Sequence, residues 1–309
     1  MLFYFPTKRI ILTFALISLI VIALTATYNY KPVINSREYN ALGNYTQISV
    51  LQPEHHNKRL IFIGDVHGML HELEELLNKL KYNKERDHLI FVGDLVTKGP
   101  HSLEVARHVH DLGASCVRGN HDDKVLKWKQ YLRLLEEDGL DLSEHIQRGW
   151  LPKDLVANSE HEMLARKLDE SAYHYLQQCP LILEIKDLGI YVVHAGLLPH
   201  IPPDQQKPFD LMNMRNIRND GSASKSKKYG QPWSIIWSDA QENSPTPKTV
   251  VYGHDAARGL TLRRYSFGID SACVKGGQLT ALIWNENQRI VSVPCIVDAA
   301  NTNTNISRH

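Results

Sequence analysis

Five times along this chain, a short apolar run ends in Asp, His or Asn beside glycine, and this repetition constrains the fold more than any other feature. Leu60-Ile61-Phe62-Ile63 leads into Gly64-Asp65-Val66-His67-Gly68, and Leu89-Ile90-Phe91-Val92 into Gly93-Asp94-Leu95-Val96. Ser115-Cys116-Val117 leads into Arg118-Gly119-Asn120-His121-Asp122, Ile190-Tyr191-Val192-Val193 into His194-Ala195-Gly196, and Thr249-Val250-Val251-Tyr252 into Gly253-His254. An apolar run with no polar alternation is the pattern of a strand buried on both faces. In open α/β sheets, sites form outside the carboxyl ends of such strands.

The intervening segments predict helices. Met69, Leu70, Leu73, Leu76, Leu77 and Leu80 fall at helical spacing, opposite Glu72, Glu74 and Glu75. Ser102 is placed to cap a second helix reaching about Asp111. The resulting β-α-β-α-β opening predicts an α/β fold with a mostly parallel sheet. Residues 122–178 read as largely helical and polar, and the segments near 265–270, 278–284 and 289–296 as closing strands.

The strand ends predict a binuclear metal site. Asp65 and His67 lie two apart on an extended segment and can turn to one ion. Asp94 has two carboxylate oxygens and can bridge two ions, while Asn120, His194 and His254 can complete the second. Mixed oxygen and nitrogen donors suit zinc, manganese, cobalt or iron rather than calcium. Flanking glycines let the backbone turn sharply where the donors converge. Two dications outweigh two carboxylates, leaving a positive excess for a phosphate group. A water between them becomes hydroxide near neutral pH and can attack phosphorus in line. His121 is the expected general acid for the leaving oxygen. Lys98, Arg118 and Arg215 are the candidates to bind phosphate and stabilise its developing charge.

The N-terminus reads as a membrane address. Lys8 and Arg9 precede an uncharged apolar stretch over residues 10–27. At helical rise it spans roughly 27 Å, near the hydrocarbon thickness. Phe3, Tyr4 and Phe5 before it, and Tyr28 and Tyr30 after it, suit the two interfaces. The basic pair predicts a cytoplasmic segment at 1–9, an uncleaved signal-anchor at 10–27 and the remainder on the lumenal or external side. Residues 28–57 read as a linker, 58–298 as the catalytic domain and 299–309 as a disordered tail. Sequons at Asn44 and Asn305 agree with a lumenal glycoprotein.

Charge and cysteine usage narrow the alternatives. A formal net charge of +1 over 309 residues argues against a protein that coats nucleic acid, so no stable nucleic-acid partner is expected. Cys116, Cys179, Cys273 and Cys295 include no CxxC pair. They read as buried small side chains, with a disulfide open only if the domain is lumenal. Basic residues gather locally, in Arg118, Lys124, Lys127, Lys129 and Arg133 and in Lys207, Arg215, Arg218, Lys225, Lys227 and Lys228. Either group could track a polyanion across the mouth of the site.

The order GDVHG, GDLVTKGP, RGNHD, HAGL and GH resembles the calcineurin-like metallophosphoesterases over roughly residues 59–295. Within the phosphoprotein phosphatase superfamily it is similar to the bacterial diadenosine-tetraphosphatase branch. GDLVTKGP and the anchor resemble most the fungal vacuolar zinc-dependent endopolyphosphatases. The resemblance implies a β-sandwich of two mixed sheets flanked by helices. It implies Asp65, His67 and the shared Asp94 at one metal, Asn120, His194 and His254 at the other, and His121 as catalytic histidine. It implies zinc as cofactor, inorganic polyphosphate as substrate and a single-pass protein with its catalytic domain in the vacuolar lumen. Dinucleoside polyphosphates and RNA caps remain alternative substrates, with Trp128, Trp150, Trp233 and Trp237 as candidates to stack a base. Serine/threonine protein phosphatases carry Asp-Arg-Gly where this chain has Thr97-Lys98-Gly99, which disfavours a phosphoprotein substrate. Lys98 also lacks the bidentate fork of arginine.

Overall fold

The computed structural model describes residues 42–43, 45–55 and 57–296. The expected anchor at 10–27, the sequon asparagines Asn44 and Asn305 and the tail at 299–309 lie outside the described residues. Among the described residues no helix is long and apolar enough to cross a membrane.

The chain runs β1 (Ile48–Val50), β2 (Arg59–Ile63), α1 (Leu70–Leu80), β3 (Asp87–Phe91), α2 (Ser102–Asp111) and β4 (Ser115–Cys116). Four helices follow: α3 (Asn120–Glu137), α4 (Leu142–Gln147), α5 (Glu160–Lys167) and α6 (Glu170–Gln178). Then come β5 (Ile182–Ile185), β6 (Ile190–Val193), α7 (Pro208–Asn213), β7 (Asn216–Ile217), β8 (Ala223–Ser224), β9 (Gln231–Pro232) and α8 (Trp233–Glu242). The closing strands are β10 (Thr249–Tyr252), β11 (Thr261–Arg263), β12 (Ser266–Gly268), β13 (Gln278–Ile283) and β14 (Arg289–Pro294).

Two mixed sheets form a sandwich, in the orders β1-β5-β6-β10-β12-β11 and β14-β13-β2-β3-β4. The unbroken apolar runs have a direct cause. Ile61, Ile63, Leu89 and Phe91 face a core shared with α1 and α2, while Leu60, Phe62, Ile90 and Val92 face the other sheet. Every one of these positions is buried, so truncating a side chain such as Phe62 to alanine should cost about 3–5 kcal/mol. On the outer face of the six-stranded sheet, Trp233 and Trp237 of α8 pack against Val250 and Tyr252.

Three expectations need correction. The linker expected over 28–57 ends earlier: Ile48–Val50 is the edge strand β1, parallel to β5. Three residues are too short to show a period. Ser102 does not cap α2, whose N-cap is His101; its hydroxyl instead accepts the Thr97 N–H at 2.8 Å. The cysteines are not free among the described residues: Cys116 pairs with Cys179, and Cys273 with Cys295. The first bridge ties β4 to the end of α6, and the second ties the loop after β12 to the end of β14.

Candidate metal centre

β2, β3 and β4 run parallel in one sheet, and β6 and β10 run parallel in the other. Their carboxyl ends open on one rim. Donor atoms of Asp65, His67 and Asp94 lie within 4.8 Å of one another, as do those of Asp94, His194 and His254. Asp94 belongs to both groups, with Oδ2 3.4 Å from Nε2 of His67 and 3.4 Å from Nε2 of His194. Asn120 joins the second group, its Oδ1 3.2 Å from His194 Nε2.

Each histidine is held through the ring nitrogen that it does not turn to the cluster. His67 Nδ1 sits 3.2 Å from the Val96 carbonyl, His194 Nδ1 2.8 Å from that of Val92, and His254 Nε2 3.2 Å from that of Asn213. A carbonyl can only accept, so each of these nitrogens carries a proton, and the opposite one is the nitrogen that would ligate an ion. This is the outer support that metal-binding histidines use. The backbone is strained here as well. His67, Asp94, Thr97, Lys98 and His254 all adopt positive φ, between 47° and 77°, a region sparsely used outside glycine and concentrated at functional sites. At Gly119 and Gly253 the reason for glycine is space: a Cβ would collide with Asp94 Oδ1 and with Asp65 Oδ1, respectively.

The electrostatics fit a pair of divalent ions. Burial, with Asp270 and Asp94 beside it, pushes the Asp65 carboxyl well above its usual range. Burial and Asp94 likewise raise Asp122, to about 6, and burial is the main cause that raises Asp270. Burial opposes ionisation of Asp94 too, yet His194, His121 and His67 outweigh it and hold the group well below the carboxylate range. His194 is pushed down by burial but raised overall to about 9 by Asp94 and Asp65. Crowded carboxylates balanced by a protonated histidine make a site in which dications can take over the charge the proton supplies.

A cavity of about 320 Å³ opens over the cluster, and Lys98, Arg215, Lys225, Lys227 and Lys275 line its wall. Lys98 Nζ lies 2.7 Å from His67 Nε2, the nitrogen that faces the cluster. Arg215 lies 3.6 Å from the Asp255 carboxylate and donates to the His254 carbonyl. His121 lines the same cavity, and its Nδ1 stands 3.0 Å from Thr97 Oγ1.

Arg118, expected at the phosphate, does not line the cavity. It is fully buried and points away from the cavity, donating to the carbonyls of Gly43 and Gln177 and pairing with Asp123 at 3.7 Å. Most of its neighbours in the first basic group serve structure too: Lys127 pairs with Asp123 and Asp154, and Arg133 with Glu170. Trp128, Trp233 and Trp237 are buried, and no Trp, Tyr or Phe among the described residues lines the cavity. Sequence reasoning missed Asp122, which accepts the N–H groups of Gly119, Leu95 and Val96 and so locks the Asp94 and Asn120 turns together. It also missed Asp270, although Phe267-Gly268-Ile269-Asp270 repeats the strand-end signature at β12.

The comparisons with known proteins agree with this geometry. The family model for calcineurin-like phosphoesterases matches residues 58–284. The zinc-dependent endopolyphosphatase of Saccharomyces cerevisiae is 30% identical over 255 residues, covering 73% of this chain and 76% of that protein. The asymmetrical bis(5'-nucleosyl)-tetraphosphatase PrpE of Oceanobacillus iheyensis is 28% identical, covering 74% of this chain and 90% of that protein. A crystal structure assigned to a diadenosine tetraphosphatase superposes with a TM-score of 0.66 at 34% identity, covering 82% of this chain and all of that one. The chain belongs to the calcineurin-like phosphoesterases, metal-dependent hydrolases of phosphate esters and anhydrides.

Proposed function

We propose that this chain cleaves phosphoanhydride bonds within inorganic polyphosphate. The observation that carries the reading is the cavity wall: Lys98, Arg215, Lys225, Lys227 and Lys275 line it with the acidic cluster, and no Trp, Tyr or Phe among the described residues does. Such a wall suits a substrate that is phosphate throughout and has no base to stack. The similarity to an endopolyphosphatase supports the same choice.

In this reading Asp65, His67 and Asp94 hold one ion, and Asp94, Asn120, His194 and His254 hold the other. Zinc suits the nitrogen and oxygen donors. The bound pair supplies an activated water and a clamp on the phosphoryl oxygens. Lys98 and Arg215 orient the scissile phosphate, and Lys225, Lys227 and Lys275 take the flanking ones. With Nδ1 of His121 engaged by Thr97, its Nε2 exchanges the proton with the leaving oxygen. We also place the catalytic domain on the lumenal side of a membrane, in the vacuole. The apolar stretch at 10–27 and two disulfides, which persist in oxidising compartments, support this placement. Protease protection in sealed vesicles, with and without detergent, tests it.

The test of substrate uses the full chain in detergent with zinc, manganese or magnesium, given long-chain polyphosphate or a dinucleoside tetraphosphate. Mid-length polyphosphate fragments, with a KM that rises about thirtyfold in Lys225→Glu/Lys227→Glu, are expected, since two such charge contacts at about 1 kcal/mol each are lost. Efficient nucleotide cleavage with polyphosphate left at full length would sink the reading in favour of a nucleotide hydrolase.

A further inference from the structure

The helical segment between β4 and β5 reaches back to the rim of the site. Ser159 caps α5, its hydroxyl accepting the Glu162 N–H, and this places Glu160 and His161 at the start of the helix. Glu160 Oε1 accepts the backbone N–H of Lys98 at 2.6 Å. His161 Nε2 lies 3.0 Å from His121 Nδ1, and the two rings stack with centroids 5.1 Å apart and planes 20° from parallel. Thr97 Oγ1 stands 3.0 Å from the same Nδ1. Two polar groups from different parts of the fold therefore converge on one nitrogen.

That convergence has a chemical reading. A histidine that exchanges a proton at Nε2 works best when Nδ1–H is held by an acceptor, which fixes both the tautomer and the ring orientation. Position 97 offers a hydroxyl rather than a carboxylate, and one hydroxyl restrains an imidazole weakly. We propose that His161 is a positioning residue for His121: its Nε2 accepts the Nδ1–H of His121, sharing with Thr97 the work a carboxylate would do. Burial keeps His161 neutral, with its pKa pushed down to about 4, so Nε2 retains the lone pair this requires. The contact with Lys98 holds the start of α5 against the loop that carries Thr97, so both acceptors move as one body. The proposal rests on His121 moving the leaving-group proton and is independent of which phosphoanhydride is the natural substrate.

Two variants separate acceptor from packing. His161→Phe keeps a stacked ring and removes the acceptor, whereas His161→Gln keeps an acceptor oxygen. With the zinc-loaded full chain, turnover is compared on phenyl phosphate, whose leaving group needs a proton, and on p-nitrophenyl phosphate, whose leaving group does not. His161→Phe should lose about 10–100-fold in kcat on the phenyl ester, with KM and the nitrophenyl ester little changed. His161→Gln should recover most of the loss. Long-range proton–nitrogen spectra of the His121 ring give a readout independent of substrate: the Nδ1–H tautomer should dominate in the wild type and in His161→Gln, and lose population in His161→Phe. Equal losses on both esters, or an unchanged His121 tautomer, would overturn the proposal. His121→Asn serves as the reference. If it too leaves the difference between the esters unchanged, the proton role of His121 itself falls; if only the His161 variants do, His121 stands and His161 does not.

Discussion

Asp94 Oδ1 accepts the backbone N–H of His121 at 2.9 Å, so the carboxylate shared by both donor groups also anchors the first turn of α3. This double duty makes Asp94→Asn informative. The amide keeps an oxygen for the His121 N–H, so the turn should survive. It removes the charge that both ions would share. The expected result is a loss of ~10³-fold or more in kcat/KM, corresponding to several kcal/mol of lost charge stabilisation. Metal content should fall below two ions per chain while the circular dichroism spectrum stays unchanged. Full metal content with full activity would remove Asp94 from the centre.

Gly253 tests the crowding around the first donor group. An added Cβ would collide with Asp65 Oδ1 and lie 2.7 Å from Val92 Cγ2, and neither neighbour sits at the end of a flexible side chain. Asp65 also accepts the His254 N–H through both oxygens, at 3.2 and 3.1 Å. Gly253→Ala should therefore displace a donor from each group at once. Overpacking of this kind costs about 1–3 kcal/mol of stability. Calorimetric titration of metal into the metal-free variant should show affinity weakened by about 10–100-fold, as when a ligand's supporting contacts are lost. Unaltered affinity would show that the site can relax around the methyl group.

The parts of the site legible in the sequence are those carried by strands buried on both faces. There the residues that run up to the strand end are apolar, so the first Asp, His or Asn after them marks the rim. Asp270 escaped the same reasoning because Ser266 and Gly268 leave Phe267 as the one apolar side chain of β12, although all three positions are buried. The placement of Arg118 away from the cavity has a different cause: its acceptors, Gly43 and Gln177, lie 75 and 59 residues away. The disulfide partners are separated by 63 and 22 residues, and His161 stands 40 residues from His121. Contacts that depend on where a distant segment returns leave no local periodicity to read.

The two disulfides should differ in what they protect. Closing a loop of 63 residues stabilises by about 4 kcal/mol in the chain-entropy description, and closing one of 22 by about 3 kcal/mol. Cys273 lines the cavity beside Ala272, Val274 and Lys275, so the shorter bridge also holds a wall of the site. Cys273→Ser/Cys295→Ser should lower the urea midpoint and raise KM. Cys116→Ser/Cys179→Ser should lower the midpoint further and raise KM less, because neither of its cysteines lines the cavity. Equal KM values in both variants would dissociate the second bridge from the site.

His88 gives stability a pH dependence that can be isolated. Its ring on β3 is buried, stacks on His55 with centroids 3.7 Å apart, and has Nε2 2.8 Å from Ser115 Oγ. Burial, followed by the proximity of His55 and Lys58, pushes its pKa down to about 3. The ordinary value is about 6.5, so below that pH the unfolded chain takes up a proton that the folded chain refuses. Stability from this site is thus fully present above pH ~6.5 and declines as pH falls toward about 3, at roughly 1.4 kcal/mol per pH unit. Other buried histidines contribute the same slope to any variant that retains them, so only a difference between proteins assigns it. His88→Phe keeps a ring in the site and removes the titration. Between pH 7.5 and 5, wild type should lose about 2 kcal/mol more than His88→Phe in urea unfolding, disulfides intact. Parallel stability curves over that range would mean that His88 accepts its proton in the folded protein as readily as in the unfolded one.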